Sequence, residues 1–131
     1  MGVDTHGVHA GYTGFTATST LTTADYGKPV KIYGANDTVA LCSDGDDFIG
    51  ILRHLEFDAD DNATLATVQT RGFVNGIAYS GSGALNMQPL VAGAAGVIKI
   101  ATGETAFEHK LYAVTSYTSG ESGGVLDFDL G

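Results

Sequence analysis

Leu126-Asp127-Phe128-Asp129-Leu130 is the stretch that decides the fold class, because apolar and acidic residues alternate strictly along it. Successive side chains of a β-strand point to opposite faces, so the alternation collects the apolar residues on one face and the aspartates on the other. Shorter alternations occur at Val30-Lys31-Ile32 and Val97-Ile98-Lys99-Ile100. The pattern predicts strands with one face in a core and the other toward solvent.

Similar short runs fill the chain from Lys28 onward, and turns rich in Gly, Asn, Asp and Ser separate them. The predicted strands are Pro29–Tyr33, Thr38–Cys42, Phe48–Phe57, Ala63–Val74, Gly76–Ser80, Pro89–Ala92, Val97–Ala101, Leu111–Tyr117 and Gly124–Leu130. We expect an all-β protein, a small β-barrel or β-sandwich of about eight or nine short strands. A single helical turn is expected at Ser82–Gln88, ahead of Pro89.

The predicted core consists of apolar residues from these strands. It comprises Val30, Ile32, Ile49, Ile51, Leu65, Val68, Phe73, Val97, Ile98, Val114, Leu126 and Phe128. An unpaired charge placed in such a core is costly, so replacing one of these residues by Asp should unfold the protein.

Residues 1–26 have a different composition from the rest of the chain. Five Thr lie between Thr13 and Thr22, and no Asp, Glu, Lys or Arg occurs from Gly7 to Ala24. Thr favours extended backbone, but so few large apolar groups give little independent stability. We therefore expect an extended N-terminal arm at 1–26, mobile in the free protein, and a single β domain at 27–131.

Composition excludes several classes of function. The 131 residues suit one domain. Six basic against fifteen acidic residues give a net charge of −9, which argues against direct binding to nucleic acid. A single cysteine allows no intrachain disulfide, and the sequence contains neither a membrane-spanning apolar run nor a signal-peptide pattern. We expect synthesis in a reducing cytoplasm and no membrane contact.

Residues that could carry chemistry occur without the spacing that chemistry requires. The acidic runs at Asp44–Asp47 and Asp58–Asp61 match a calcium loop poorly: Asp58 and Asp60 alternate, but the required Gly and bidentate Glu do not follow them. Both runs are therefore interpreted as solvated turns. Cys42 ends an apolar run, where cysteine usually acts as a small buried residue. The four histidines, His6, His9, His54 and His109, show no metal-ligand spacing. We expect no catalytic residue, no metal and no cofactor, and therefore no enzyme.

Three stretches together resemble the small capsid decoration proteins of tailed bacteriophages, also called cement or head-stabilising proteins. They are GKPVKIYGANDTVALCSDGDDFIGILRHLEF from Gly27, ATVQTRGFVNGIAYSGS from Ala66 and PLVAGAAGVIKIA from Pro89. The resemblance covers about residues 27–130 and lies in the order and spacing of strands and turns. It includes the DGDDFIG turn at Asp44–Gly50 and the VQTRGFV strand at Val68–Val74.

The resemblance implies a structural role on a virion. Proteins of this kind are β-rich homotrimers on the outer capsid surface, bound where major capsid protein subunits meet, often through an extended N-terminal arm. On that basis the capsid-binding residues would be those of the arm: Tyr12, Thr13, Phe15, Thr16, Thr18 and Leu21. The expected partners are the major capsid protein and two further copies of this chain.

Two other functions remain open from the sequence. One is a surface-displayed β domain that binds host carbohydrate through aromatic residues such as Tyr12, Tyr79 or Tyr117. The other is a small hydrolase with Cys42 as its nucleophile. Protection of Cys42 from alkylation in the folded protein would exclude the hydrolase.

Overall fold

The computed structural model describes residues 11–34, 37–60, 62–81, 86–102, 108–118 and 120–131. Within these ranges the chain forms ten strands and two short 3₁₀ turns, so the all-β expectation is confirmed. The strands are β1 (Gly11–Ala17), β2 (Pro29–Ile32), β3 (Thr38–Leu41), β4 (Gly50–Asp58), β5 (Ala63–Arg71), β6 (Phe73–Gly81), β7 (Asn86–Ala92), β8 (Ile98–Ile100), β9 (Leu111–Thr118) and β10 (Gly120–Asp129). The 3₁₀ turns are Thr23–Asp25 and Ala94–Gly96. In the described ranges no helix is long and apolar enough to cross a membrane.

The strands close two barrels where the sequence led us to expect one barrel or sandwich. The first barrel has the order β1-β3-β2-β4-β5, and the second has the order β10-β6-β8-β7-β9. The boundary falls inside the predicted strand Ala63–Val74, which Gly72 interrupts with a φ of 89°. A positive φ is readily adopted by glycine, so this residue ends β5 and starts β6 in a new direction.

Each barrel has its own core. The first is formed by Ala17, Leu21, Val30, Val39, Leu52, Ala66 and Val68. The second is formed by Phe48, Ile51, Val74, Ile77, Tyr79, Leu90, Ile98, Tyr112, Val114, Leu126, Phe128 and Leu130. Phe48 comes from the loop before β4 and stacks on Tyr112 with ring centroids 5.2 Å apart. The first half of the chain therefore contributes to the second core, which joins the barrels.

Most of the predicted core is confirmed. Seven residues are buried: Val30, Ile51, Val68, Ile98, Val114, Leu126 and Phe128. Ile49 and Val97 are half-buried. The predictions for Ile32, Leu65 and Phe73 are wrong, because all three side chains are exposed. Leu65 and Phe73 each precede a buried residue and so point to the opposite face, while Ile32 is the last residue of β2.

Gln69 is a buried polar residue at the junction of the two barrels. Its side-chain amide donates to the carbonyl oxygens of Arg71 and Phe73 at 3.1 and 2.9 Å, on either side of Gly72. Its oxygen accepts two bonds from the guanidinium of Arg53 at 3.0 and 2.9 Å. Because every polar atom of the amide has a partner, burial of Gln69 carries no desolvation penalty for an unmet group.

The loop between β3 and β4 fastens the barrels together. Gly45 donates its backbone N–H to the carbonyl of Ala92 at 2.8 Å, and Ala92 donates to the carbonyl of Asp46 at 2.9 Å. Asp44 pairs with Lys99 of β8 at 2.6 Å. The acidic run thus forms a turn, as the sequence predicted, but Asp44 pairs within the protein where the sequence led us to expect a solvated carboxylate.

The extended arm at 1–26 is not confirmed. Residues 11–17 form β1 within the first barrel, and Leu21 lies in its core with 6% exposure. Thr22 and Asp25 form a capping box around the first 3₁₀ turn, so this segment has local structure as well. Residues 1–10 lie outside the described ranges. Of the predicted helical turn, residues 82–85 also lie outside them, and 86–88 belong to β7.

Candidate interaction surface

The six predicted arm residues divide between the core and the surface. Phe15 and Leu21 pack in the first core. Tyr12 is 58% exposed, and the hydroxyl of Thr13 lies 3.4 Å from that of Thr70. The remaining two, Thr16 and Thr18, donate their backbone N–H groups to Asp37 and Val39 at 2.9 and 3.0 Å. The six residues predicted to bind a capsid therefore lie together in β1 and the turn after it, but only some of them face solvent.

β1 is paired fully on one side and barely on the other. β5 pairs with it from Gly11 to Thr16, whereas β3 pairs with it only at Thr16 and Ala17. Successive residues of a strand direct their N–H and C=O groups to opposite sides, so residues two positions apart direct them to the same side. Gly14 and Tyr12 therefore point their backbone groups the same way as Thr16, away from β5. No described strand pairs with β1 there, so within the described part of the chain residues 11–15 form an open edge.

The side chains along this open edge leave it accessible. A Cβ built on Gly14 would meet no atom within 4 Å, and the residue is exposed. An unpaired row of N–H and C=O groups is a template for an added strand. The sequence did not indicate this edge, because pairing between distant strands is not visible in composition or periodicity.

β1 and β4 flank β5, and β4 also lacks a described partner over part of its outer edge, which a side chain partly covers. β2 pairs with β4 only at Gly50 and Ile51. Further along, the hydroxyl oxygen of Tyr26 accepts the backbone N–H of Leu55 at 2.8 Å and lies 3.5 Å from the carbonyl oxygen of Leu55, to which it donates. The hydroxyl thus occupies the place of a neighbouring strand at one residue.

Cys42 is poorly suited to act as a nucleophile. Burial raises the pKa of its thiol to about 12, and the nearby carboxylate of Asp46 adds to the rise. The thiolate is the reactive form, so the side chain is almost wholly unreactive near neutral pH. Within the described residues no three His, Cys, Asp or Glu side chains are grouped to hold a metal ion.

The loop carboxylates take part in ion pairs within the protein. Lys31 donates to Asp46 at 2.6 Å, and this bond holds the pKa of Asp46 below its usual value, with help from the N–H of Ser43. The imidazole Nδ1 of His109 lies 2.7 Å from Asp47. These contacts anchor the loop and give the aspartates a structural role.

A cleft of about 550 Å³ lies beside this loop at one end of the second barrel. Tyr79, Lys99 and His109 line it. Lys99 pairs with Asp44, and the imidazole of His109 contacts Asp47, so both polar side chains already have partners within the protein. Among the described residues that line the cleft, Tyr79 is the only tyrosine, and at 2% exposure it offers no face to a sugar.

The aromatic residues expected for carbohydrate binding do not form one surface. Tyr79 is buried, and Tyr117 packs against it edge to face with centroids 6.3 Å apart. Tyr12 is exposed on the first barrel. No specific observation therefore favours the carbohydrate function.

Comparison of the chain with protein-family models, with curated proteins and with solved structures gives no match.

Proposed function

We propose that this chain is a capsid decoration protein that binds the outer surface of a phage head where major capsid protein subunits meet. The observation that carries the proposal is the open edge of β1 at residues 11–15, with Tyr12 exposed beside it. This edge replaces the flexible arm as the attachment element, and it lies at the same part of the chain.

Strand addition supplies the binding mode. A strand of the capsid protein would pair with the backbone groups of Tyr12 and Gly14, and Tyr12 would pack on its side chains. Each backbone bond adds only about 0.5–1.5 kcal/mol net in water. A single copy would therefore bind weakly through so short an edge.

A homotrimer would compensate for this weak binding. Three edges that engage neighbouring subunits together raise the effective concentration of each contact without new contacts. The chain is acidic, with a net charge of −9. That charge suits a position on the outside of the shell, away from the packaged DNA.

Quantitative mass spectrometry of purified particles tests the proposal. We expect the chain at a fixed ratio to the major capsid protein, and we expect antibodies against it to bind intact particles. Absence from particles, or presence at only a few copies per particle, would contradict a decoration role.

A further inference from the structure

The hairpin between β4 and β5 leaves two large apolar side chains exposed, one on each face of the sheet, because Leu65 pairs with Glu56 and Phe57 pairs with Thr64. Phe57 is 61% exposed and Leu65 is 42% exposed. Both line a groove of about 270 Å³ with Glu56, Asp58 and Asp60. Among the large apolar side chains that the structure describes, Phe57 has the highest exposed fraction.

The groove is acidic, and two of its carboxylates, Glu56 and Asp60, have no cation paired with them in the described part of the chain. In the described part of the chain the ion pairs use the carboxylates of Asp25, Asp44, Asp46 and Asp47. Neither Glu56 nor Asp60 takes part in one. The cations are mostly engaged elsewhere: Lys28, Lys31 and Lys99 in ion pairs, Arg53 on Gln69, and Lys110 on the carbonyl of Leu130. A ligand that complements this groove must bring positive charge.

The backbone beside the groove can accept an extended segment. Leu55 directs its N–H and C=O away from β5, toward the hydroxyl of Tyr26. Phe57 has the same orientation, because it lies two residues further along the strand. No described strand pairs with β4 at this position.

We propose that this groove binds an extended, basic segment of a partner protein. Side chains of an extended segment alternate between the two faces of the sheet, so aliphatic ones would cover Phe57 on one face. Lys or Arg side chains would pair with Glu56 on the other face and with Asp60 in the turn. The backbone of the segment would extend the sheet at Phe57. This inference is independent of the proposed function, because it uses β4 and the hairpin, whereas that function uses the edge of β1.

Fluorescence anisotropy with a short labelled peptide of alternating Lys and Val tests the inference. We expect it to bind the full chain, to bind more weakly as salt is raised, and to bind better than a peptide of alternating Glu and Val. Phe57→Ser, and separately the double variant Glu56→Gln with Asp60→Asn, should weaken binding roughly tenfold or more. Tyr33→Ser and Glu108→Gln remove an exposed aromatic residue and an exposed charge elsewhere, and should leave binding unchanged.

Several results would overturn the inference. Equal affinity for the Lys and Glu peptides would exclude charge recognition. Binding that survives both groove variants would place the peptide elsewhere. Self-association of the protein that is lost in Phe57→Ser would identify a second copy as the occupant. If the Phe57→Ser variant no longer binds the peptide but still decorates heads, both proposals stand. If the native chain decorates heads but does not bind the peptide, only the groove proposal falls.

Discussion

Gly50 and Gly14 lie in strands of the same barrel, but an added side chain would meet different surroundings at each. A Cβ on Gly50 would overlap the backbone carbonyl of Gln69, which cannot move without disturbing β5. A Cβ on Gly14 would have open space. We predict that Gly50→Ala lowers the free energy of unfolding by about 1–3 kcal/mol. Gly14→Ala, as the matched control, should leave it unchanged or raise it slightly.

Urea titration of the two variants measures the difference. An equal effect at both positions would contradict the close approach of β4 to β5 at Gly50.

Cys42 gives a prediction about pH. Burial raises the pKa of its thiol from 9.0 to about 12. Between these two pH values the thiol stays neutral in the folded protein but ionises in the unfolded chain. Its contribution to stability is therefore complete below pH 9.0 and is lost as pH rises from there toward 12. We expect Cys42→Ala to lose less stability over that range than the native chain does. Thermal unfolding at several alkaline pH values measures this.

Alkylation of the thiol supplies an independent check. Near pH 8 the folded protein should react slower than the denatured chain by a factor on the order of a thousand, from the lower thiolate fraction alone. Equal rates would show that Cys42 is an accessible thiol and would reopen the hydrolase hypothesis.

At the scale of elements, β1 and the turn after it belong to the first barrel. Leu21 is buried there, while Leu111 of β9 is exposed. We predict that Leu21→Ala costs about 2–5 kcal/mol of stability, as large-to-small changes in a core do. Leu111→Ala is the matched control and should change stability little. A Leu21→Ala protein with native Tm would mean that the segment is a detachable arm after all.

Sequence patterns predicted the elements better than their arrangement. Alternation at Leu126–Leu130 located β10 and its buried face correctly. The Thr and Gly composition of 11–17 concealed β1, because the strand is held by pairing with the distant strand β5 along Gly11–Thr16, and composition does not show such pairing. The bulge between Leu52 and His54 shifts the register of β4, and no local signal marks it. Side-chain exposure at Phe57 therefore could not be read from periodicity.

For the whole molecule, the division into two barrels depends on one glycine and on contacts between distant residues. Gly72 separates β5 from β6, and Gln69 then holds the carbonyls on both sides of it. The candidate interaction surface was predicted only as a region of sequence. Its open edge exists because β1 pairs with β3 over only two residues, and this short pairing can be recognised only from the three-dimensional structure.

Trimer formation is the expected behaviour of the whole molecule in the proposed function. Closed symmetry satisfies each interface without open-ended growth. We predict that sedimentation at several concentrations gives a trimer, or a monomer in equilibrium with it. A dimer that is stable at every concentration would contradict the proposed arrangement on the capsid.

The most direct test of the central claim compares Gly14→Pro with Gly14→Ala in binding to heads that lack this protein. Proline removes the N–H that Gly14 directs away from β5, whereas alanine keeps it. Cryo-electron microscopy of the incubated heads measures occupancy. The account predicts full occupancy with Gly14→Ala and little or none with Gly14→Pro, provided that both variants keep the native Tm. Full occupancy with a folded Gly14→Pro protein would contradict attachment through the edge of β1.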